Sequence, residues 1–422
     1  MKLNKEYFKN FKSTTLYKYF KHNFTDSIYS ILNLLVASLD GFFLNIILVR
    51  YLSLEDLGNY KIFFSVLNIL IIFSINGLNT SVSRSAAKKY NRFFITATKI
   101  SAIVSFLGTM IMIVLALTYY RGSGVKWPLL YACLFVPVYF GFNIWEAFYY
   151  GEKKFRLIFL TNLVLAVIRF GTCVSILYFL RDYVLTIVAY VGIVSGFNFI
   201  MFLKIYKRVK PEERDVPKEK ELVKHGLKIT GASSVSVIAK NIERLILDGV
   251  TNASMVGIYS IVSVFPTFIK NALKNLVNVP TVKLAAYSEK DNRRILKKML
   301  VWIFIAGVVI VAIFWFITPF LLKFFFKQTD PKMFLYGRLL LIPLLFMPID
   351  MTIKYMTSYQ GSGSSYFKLN SSTDIIKLAS LAVFIPIYKI YGIIIGQIVG
   401  EFLSFLTLGI WFLRTNKKFG IK

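Results

Sequence analysis

The chain repeats one feature too often for a soluble fold: unbroken apolar stretches of roughly 20 residues, the length a helix needs to cross a bilayer core. Twelve such stretches fall between residues 27 and 413. In hydrocarbon the backbone N–H and C=O groups must be satisfied within the protein, which leaves helices or closed barrels. The runs are continuously apolar rather than alternating with a period of two, so they read as helices. The expected class is an all-α integral membrane protein. A composition of 56% hydrophobic and 17% aromatic residues agrees with it.

The formal charge is +30, from 51 Lys and Arg against 21 Asp and Glu. In a soluble protein this excess would point to nucleic acid. Here the basic residues collect between the apolar runs, as the positive-inside rule requires, and no nucleic-acid partner is expected. With the N-terminus inside, the inner segments outweigh the outer ones by about four to one in Lys and Arg. A multi-pass protein of the inner (cytoplasmic) membrane with both termini cytoplasmic follows as the expectation. The chain divides into a basic N-terminal segment (1–26), six spans (27–203), a charged linker (204–226), six more spans (227–413) and a basic tail (414–422). The N-terminal segment, with lysines between aromatic residues, suits either an amphipathic surface helix or a solvated tail.

The halves resemble each other. LEDLGNYKIFFSVLNIL (Leu54 to Leu70) aligns with ASMVGIYSIVSVFPTFI (Ala253 to Ile269), placing Gly58 and Tyr60 against Gly257 and Tyr259 at an offset of 199. LFVP at Leu134 aligns with LFMP at Leu345, and Asn162 with Arg169 aligns with Asn370 with Lys377. An even number of spans per half starts both on the same side. The expected architecture is therefore twelve transmembrane helices in two six-helix bundles, related by a pseudo-twofold along the membrane normal.

Several charges lie inside the spans. In the seventh (227–250), Lys240, Arg244 and Asp248 are spaced i, i+4, i+8 and share a helix face, with Glu243 beside it. A charge at bilayer depth costs at least about 2.5 kcal/mol, so such residues face a protein interior or a water-filled cavity. Arg84, Arg169, Lys270 and Lys377 extend the cationic set in other spans. Arg84 also suits an interfacial position, because Lys88 and Lys89 follow it. Asp350 with Lys354 and Asp374 with Lys377 are spaced for self-neutralising pairs on one helix. A cavity with several cations and fewer carboxylates suits an anion, and arginine suits phosphate through paired hydrogen bonds. No metal site or cofactor is expected: Cys133 and Cys173 lie in apolar runs without ligand spacing, and His22 and His225 lie at cytoplasmic ends. No catalytic triad, paired-carboxylate site or long outer loop appears, so the chain reads as a transporter rather than an enzyme. Pro137, Pro266, Pro343 and Pro348 are expected to bend spans.

These elements resemble a known family. They are the turn RYLSLEDLGNYKIFFSV, then GLNTSVSRSAAK, then FYYGEKKF, and IERLILDGVTNASMVGIYSI opening the second half. Together they are similar to the O-antigen-type repeat-unit flippases of the multidrug/oligosaccharidyl-lipid/polysaccharide exporter superfamily. The resemblance implies two six-helix bundles meeting in a MATE-like V. It implies translocation of an undecaprenyl-pyrophosphate-linked oligosaccharide from the cytoplasmic to the outer leaflet, by alternating access, for surface polysaccharide biosynthesis. It further implies Arg244 as the first residue on the pyrophosphate, within a cationic cavity of Arg244, Lys240, Arg169, Arg84, Lys270 and Lys377. Proton or sodium gradient coupling, suggested for some members, would fall to Asp40, Glu401, Asp248 or Glu243. Implied partners are the lipid-linked oligosaccharide, membrane lipids, and polysaccharide polymerase and chain-length machinery. One departure is that the second half lacks a match to Arg84. Two competing readings are a cation-coupled multidrug exporter, which needs an anionic pocket, and a membrane polymerase or ligase, which needs an extracytoplasmic catalytic region.

Overall fold

The computed structural model describes residues 15–209, 213, 215–271, 273–274, 289–360 and 363–418. The first fourteen residues of the basic N-terminal segment lie outside them, as do Asn275 to Ser288. The described residues contain helices and no strand. In the first half these are α1 (Thr15–Tyr51), α2 (Leu54–Leu70), α3 (Gly77–Ala87), α4 (Phe93–Leu117), α5 (Lys126–Ala132), α6 (Val136–Gly141), α7 (Trp145–Gly151), α8 (Phe155–Phe179) and α9 (Tyr183–Val209). In the second they are α10 (Val216–Val250), α11 (Ala253–Val262), α12 (Val264–Asn271), α13 (Glu289–Phe326), α14 (Pro331–Leu339), α15 (Met347–Gln360), α16 (Gly363–Tyr388) and α17 (Ile390–Lys418).

Among the described residues nine helices are long and apolar enough to cross a membrane, or eleven spans if each of two bent pairs counts as one. The expected span missing from that set is the seventh. It is helical as part of α10, but the charges around Arg244 keep it from qualifying by composition. Nor are all spans single rods. The chain bends by 61° between α5 and the α6–α7 segment, and by 48° between α11 and α12. Pro137 opens α6 after the first LFxP motif, and Pro348 lies in the first turn of α15 after the second. The repeated motif thus marks a repeated break, where proline cannot donate the hydrogen bond a continuous helix would need.

Helix starts are also repeated. Ser53 caps α2 by accepting from the Asp56 N–H, and Asn252, in the equivalent position, caps α11 by accepting from the Met255 N–H. Each cap turns the chain into a helix that packs directly against the other half. There the backbones almost touch. A Cβ on Gly58 would stand 1.8 Å from the Ala253 carbonyl oxygen, and one on Gly257 would stand 2.1 Å from that of Leu54. Because Leu54 is to Gly58 as Ala253 is to Gly257, the contact is reciprocal and the pseudo-twofold passes between α2 and α11. Only glycine permits so close an approach.

Around this contact, at the end away from the termini, one apolar core joins the halves: Leu48, Leu57 and Tyr60 meet Val256, Tyr259 and Phe326. At the other end each half keeps a core of its own, with Leu78, Phe94 and Trp145 in one and Ile353, Leu369 and Leu408 in the other. A shared core at one end and separate cores at the other give a V. One helix bridges its open end. The first turns of α10 lie on α3, where the Gly77 N–H donates to Thr230 Oγ1 at 2.9 Å and Ser81 Oγ donates to the Leu222 carbonyl at 2.9 Å. Outward faces stay apolar, as with Trp302, Phe316 and Phe320 on α13, which is the surface hydrocarbon requires.

Candidate substrate cavity and the charged clusters around it

Just inside the joined end, a cavity of about 210 Å³ sits between the halves. The first half contributes α1, through Gly41 and Asn45, and α2, through Lys61; the second contributes Arg244 of α10, Ser260 of α11 and Thr267 of α12. The repeat register that aligns Gly58 with Gly257 also aligns Asn45 with Arg244 and Lys61 with Ser260. Each half therefore supplies one cation, from a different helix. Lys61 donates to Asn45 Oδ1 and lies 5.6 Å from the Tyr60 ring centre. Arg244 lies 5.8 Å from the ring centre of Tyr259, the equivalent tyrosine. Among the described residues no Asp or Glu lines the cavity.

Arg244 is half-buried, and its Nε is shielded from solvent with no hydrogen-bond partner among the described residues. Glu243 does not neutralise it, although the two are adjacent in sequence. Tyr259 OH donates to Glu243 Oε1 at 2.6 Å, and Gln397 Nε2 donates to Glu243 Oε2 at 2.8 Å. The helix turns the carboxylate into the second half and leaves the guanidinium on the cavity. An acidic–basic dipeptide thus becomes two separate sites, because neighbouring residues on a helix diverge by about 100°.

Arg169 is placed differently from Arg244. It bonds Asp40 of α1, donates to Tyr190 OH at 3.1 Å and stacks 4.7 Å from the Tyr190 ring centre. Both members of the ion pair are largely buried and together they link α1, α8 and α9, although Asp40 Oδ1 and Arg169 Nε have no hydrogen-bond partner among the described residues. Farther along α1 and α8, Asn162 Nδ2 donates to Asn33 Oδ1 at 3.0 Å and to Glu146 Oε1 of α7 at 2.9 Å.

In the second half, Lys377 reaches Glu401 at 2.8 Å and Asp350 at 3.7 Å. The intrahelical pairs expected from spacing, Asp350 with Lys354 and Asp374 with Lys377, are not the ones formed among the described residues. Lys377 crosses to α17 and α15 instead, while Asp374 accepts from Ser236 of α10 and, at 3.1 Å, from Asn370. Helix neighbours outcompete the i+3 and i+4 positions because burial rewards a partner that also fills space. Lys240 is open to solvent one turn below Arg244, within electrostatic reach of Lys270, Lys274 and Asp374. Lys270 is likewise exposed, on α12. Arg84 is exposed in the last turn of α3 beside Lys88 and Lys89, away from the cavity lining. Asp248, one turn beyond Arg244, is half-buried, and Glu401 is buried.

Lys61 is the cavity cation that sequence reasoning missed. It sits beside Tyr60 inside the second apolar span, and its charge at that depth was the available signal. Among the described residues, no group of three or more His, Cys, Asp or Glu is arranged to hold a metal ion.

The sequence profile of polysaccharide biosynthesis proteins matches residues 24–282. The chain belongs to that family. No curated protein sequence matches it. Solved structures of the MOP superfamily share the fold of this family member. An inward-facing MATE-family multidrug resistance transporter aligns with 92% of this chain and 98% of its own, at a TM-score of 0.67 and 14% identity. Lipid II flippase MurJ, in an inward closed conformation, aligns over 90% of this chain and 86% of its own, at a TM-score of 0.68 and 14% identity. A MOP superfamily transporter from Pyrococcus furiosus, described by the reverse polarity of its binding pocket, aligns over 92% and 94%, at a TM-score of 0.60 and 16% identity. The protein is thus a multi-pass membrane protein with the flippase and transporter fold of that superfamily.

Proposed function

We propose that this protein flips an undecaprenyl-pyrophosphate-linked oligosaccharide from the cytoplasmic to the outer leaflet by alternating access, for surface polysaccharide biosynthesis. The observation that carries the reading is the cavity between the halves, which among the described residues presents Lys61 and Arg244 and no carboxylate. A guanidinium that makes no hydrogen bond or ion pair among the described residues suits the paired oxygens of a pyrophosphate, and a lysine on the facing half supplies a second point charge. A cationic drug would meet repulsion there, which disfavours the multidrug reading. The family supports a polysaccharide precursor, and the MurJ likeness supports a fold able to move a lipid-linked one.

On this reading α10 crosses the membrane as a twelfth span, its polar face turned to the cavity, and both termini lie in the cytoplasm. Lys240 and Lys270 continue the cationic path toward the cytoplasmic side. The oligosaccharide crosses chemically unchanged and is handed to a polymerase and chain-length machinery. Gradient coupling falls to the second half, where Asp350 and Glu401 share Lys377, rather than to Asp40, which Arg169 already holds.

The test is surface polysaccharide in a deletion strain complemented with Arg244→Ala or Lys61→Ala, with protein amount followed in membranes. Loss of polysaccharide at normal protein level is expected for Arg244→Ala, and a strong reduction for Lys61→Ala. Normal polysaccharide in both would overturn the site assignment.

A further inference from the structure

A second recess lies outside the substrate cavity, at the end of the molecule that carries the termini. It has a volume of about 340 Å³ and runs between α4 and the first turns of α10. Thr96 and Ile100 form one wall. The other is a continuous stripe of α10, where Val216, Val223 and Leu227 alternate with Glu219, Lys220 and Lys224 at helical spacing. Lys228, one turn on, extends the stripe, and Lys99 stands on α4 beside Ile100. All four lysines are exposed, and among the described residues none is in an ion pair. The one carboxylate among the described residues of the recess, Glu219, is buried and accepts from Tyr90 OH at 3.2 Å, so it is turned into the protein.

We propose that this recess binds an anionic phospholipid of the cytoplasmic leaflet. The depth is right for a lipid. Ile100 lies inside the membrane-crossing helix α4, and Leu227, half exposed, lies opposite it at the start of the seventh span. Lys220 and Lys224 stand above them, at headgroup level. An acyl chain along Leu227 and Ile100 would cover apolar surface, while the phosphate would meet the lysine stripe. A basic residue close to an anionic leaflet is drawn to it electrostatically, and several on one helix face reinforce one another. A water-soluble anion would gain nothing from the apolar floor, and a neutral lipid nothing from the lysines.

The position gives such a lipid a consequence. The recess adjoins the place where α10 crosses onto α3, with Gly77 against Gly226. A lipid seated there braces the bridge across the open end of the V, so the composition of the leaflet would bias how readily that seam parts.

The experiment is native mass spectrometry of the full-length protein released from phosphatidylcholine bilayers with and without phosphatidylglycerol. The wild type should retain phosphatidylglycerol in preference to phosphatidylcholine. The variant carrying Lys220→Ala, Lys224→Ala and Lys228→Ala should lose one bound phosphatidylglycerol. A control replacing Lys88, Lys89 and Lys153, exposed at the same end, should lose none. An unchanged lipid count in the first variant would overturn the proposal and leave the recess to a protein partner. An equal loss in the control would also overturn it, by reducing the effect to general surface charge. Thermal unfolding of both variants separates lost binding from lost fold.

Discussion

Asn162 and Arg169 on α8 stand where Asn370 and Lys377 stand on α16, but the two helices use the same spacing differently. In the first half the cation is an arginine closed onto a single carboxylate, Asp40, and fixed again by Tyr190. In the second it is a lysine between two carboxylates, close to Glu401 and farther from Asp350. Among the described residues neither oxygen of Asp350 has a hydrogen-bond partner, although the residue is 2% exposed. A planar guanidinium with two anchors is a strut. A flexible ammonium with one close and one distant carboxylate can change partner with little other movement. Both halves carry the same position, and the difference lies in what the neighbouring helices bring to it.

Replacing Arg169 by Met breaks this comparison most severely. It strands the buried Asp40 carboxylate, and losing one partner of a buried pair costs about 3–5 kcal/mol. The expected result is a large fall in melting temperature and in membrane yield. A variant that melts with the wild type would mean the pair is not a strut. Asp350→Asn sharpens the other side. It keeps size and removes the farther of the two carboxylates around Lys377, which keeps Glu401, so stability should change by about 1 kcal/mol or less. The pH profile of lipid-linked oligosaccharide transport in vesicles should flatten instead. An unaltered profile with normal turnover would remove the second half from gradient coupling.

The smallest effect is expected outside the membrane, at Glu152. Burial works against its charge, but bonds from Arg208 and Lys154 outweigh burial and hold the carboxyl below its ordinary range. The charged form therefore stabilises the fold above the ordinary carboxyl pKa, and that contribution fades as pH falls through the lowered value. Both cations are well exposed, so Glu152→Gln should cost less than about 1 kcal/mol at neutral pH. The gap between wild-type and variant melting temperatures should close in acid; a gap that widens would contradict the assignment.

The spans and the repeat were legible in sequence because both are local statements about which residues follow one another. Gly58 and Gly257 carry their meaning in their spacing, and the structure makes them the point where the halves touch. Partner choice was not legible. Lys377 looked suited to Asp374 three residues earlier on its own helix, yet it bonds Glu401 and approaches Asp350, because α15 and α17 flank it. Glu243, next to Arg244 in sequence, is held by Tyr259 and Gln397, on two other helices. Lys61 passed unnoticed because it sits inside a motif read for its glycine and tyrosine. In each case the missing fact is which helices are neighbours, and hydropathy does not report that.

The meeting of Gly58 with Ala253 and of Gly257 with Leu54 has the form of an interface between identical subunits, since each side offers what it also receives. The molecule is in that sense a homodimer whose two copies have been written into one polypeptide and allowed to drift. Fusion freed the copies from having to be alike everywhere except at this seam. One copy could settle on a locked pair and the other on a shared lysine, and the cavity could draw its two cations from different helices, while the surface that joins the copies stayed self-complementary.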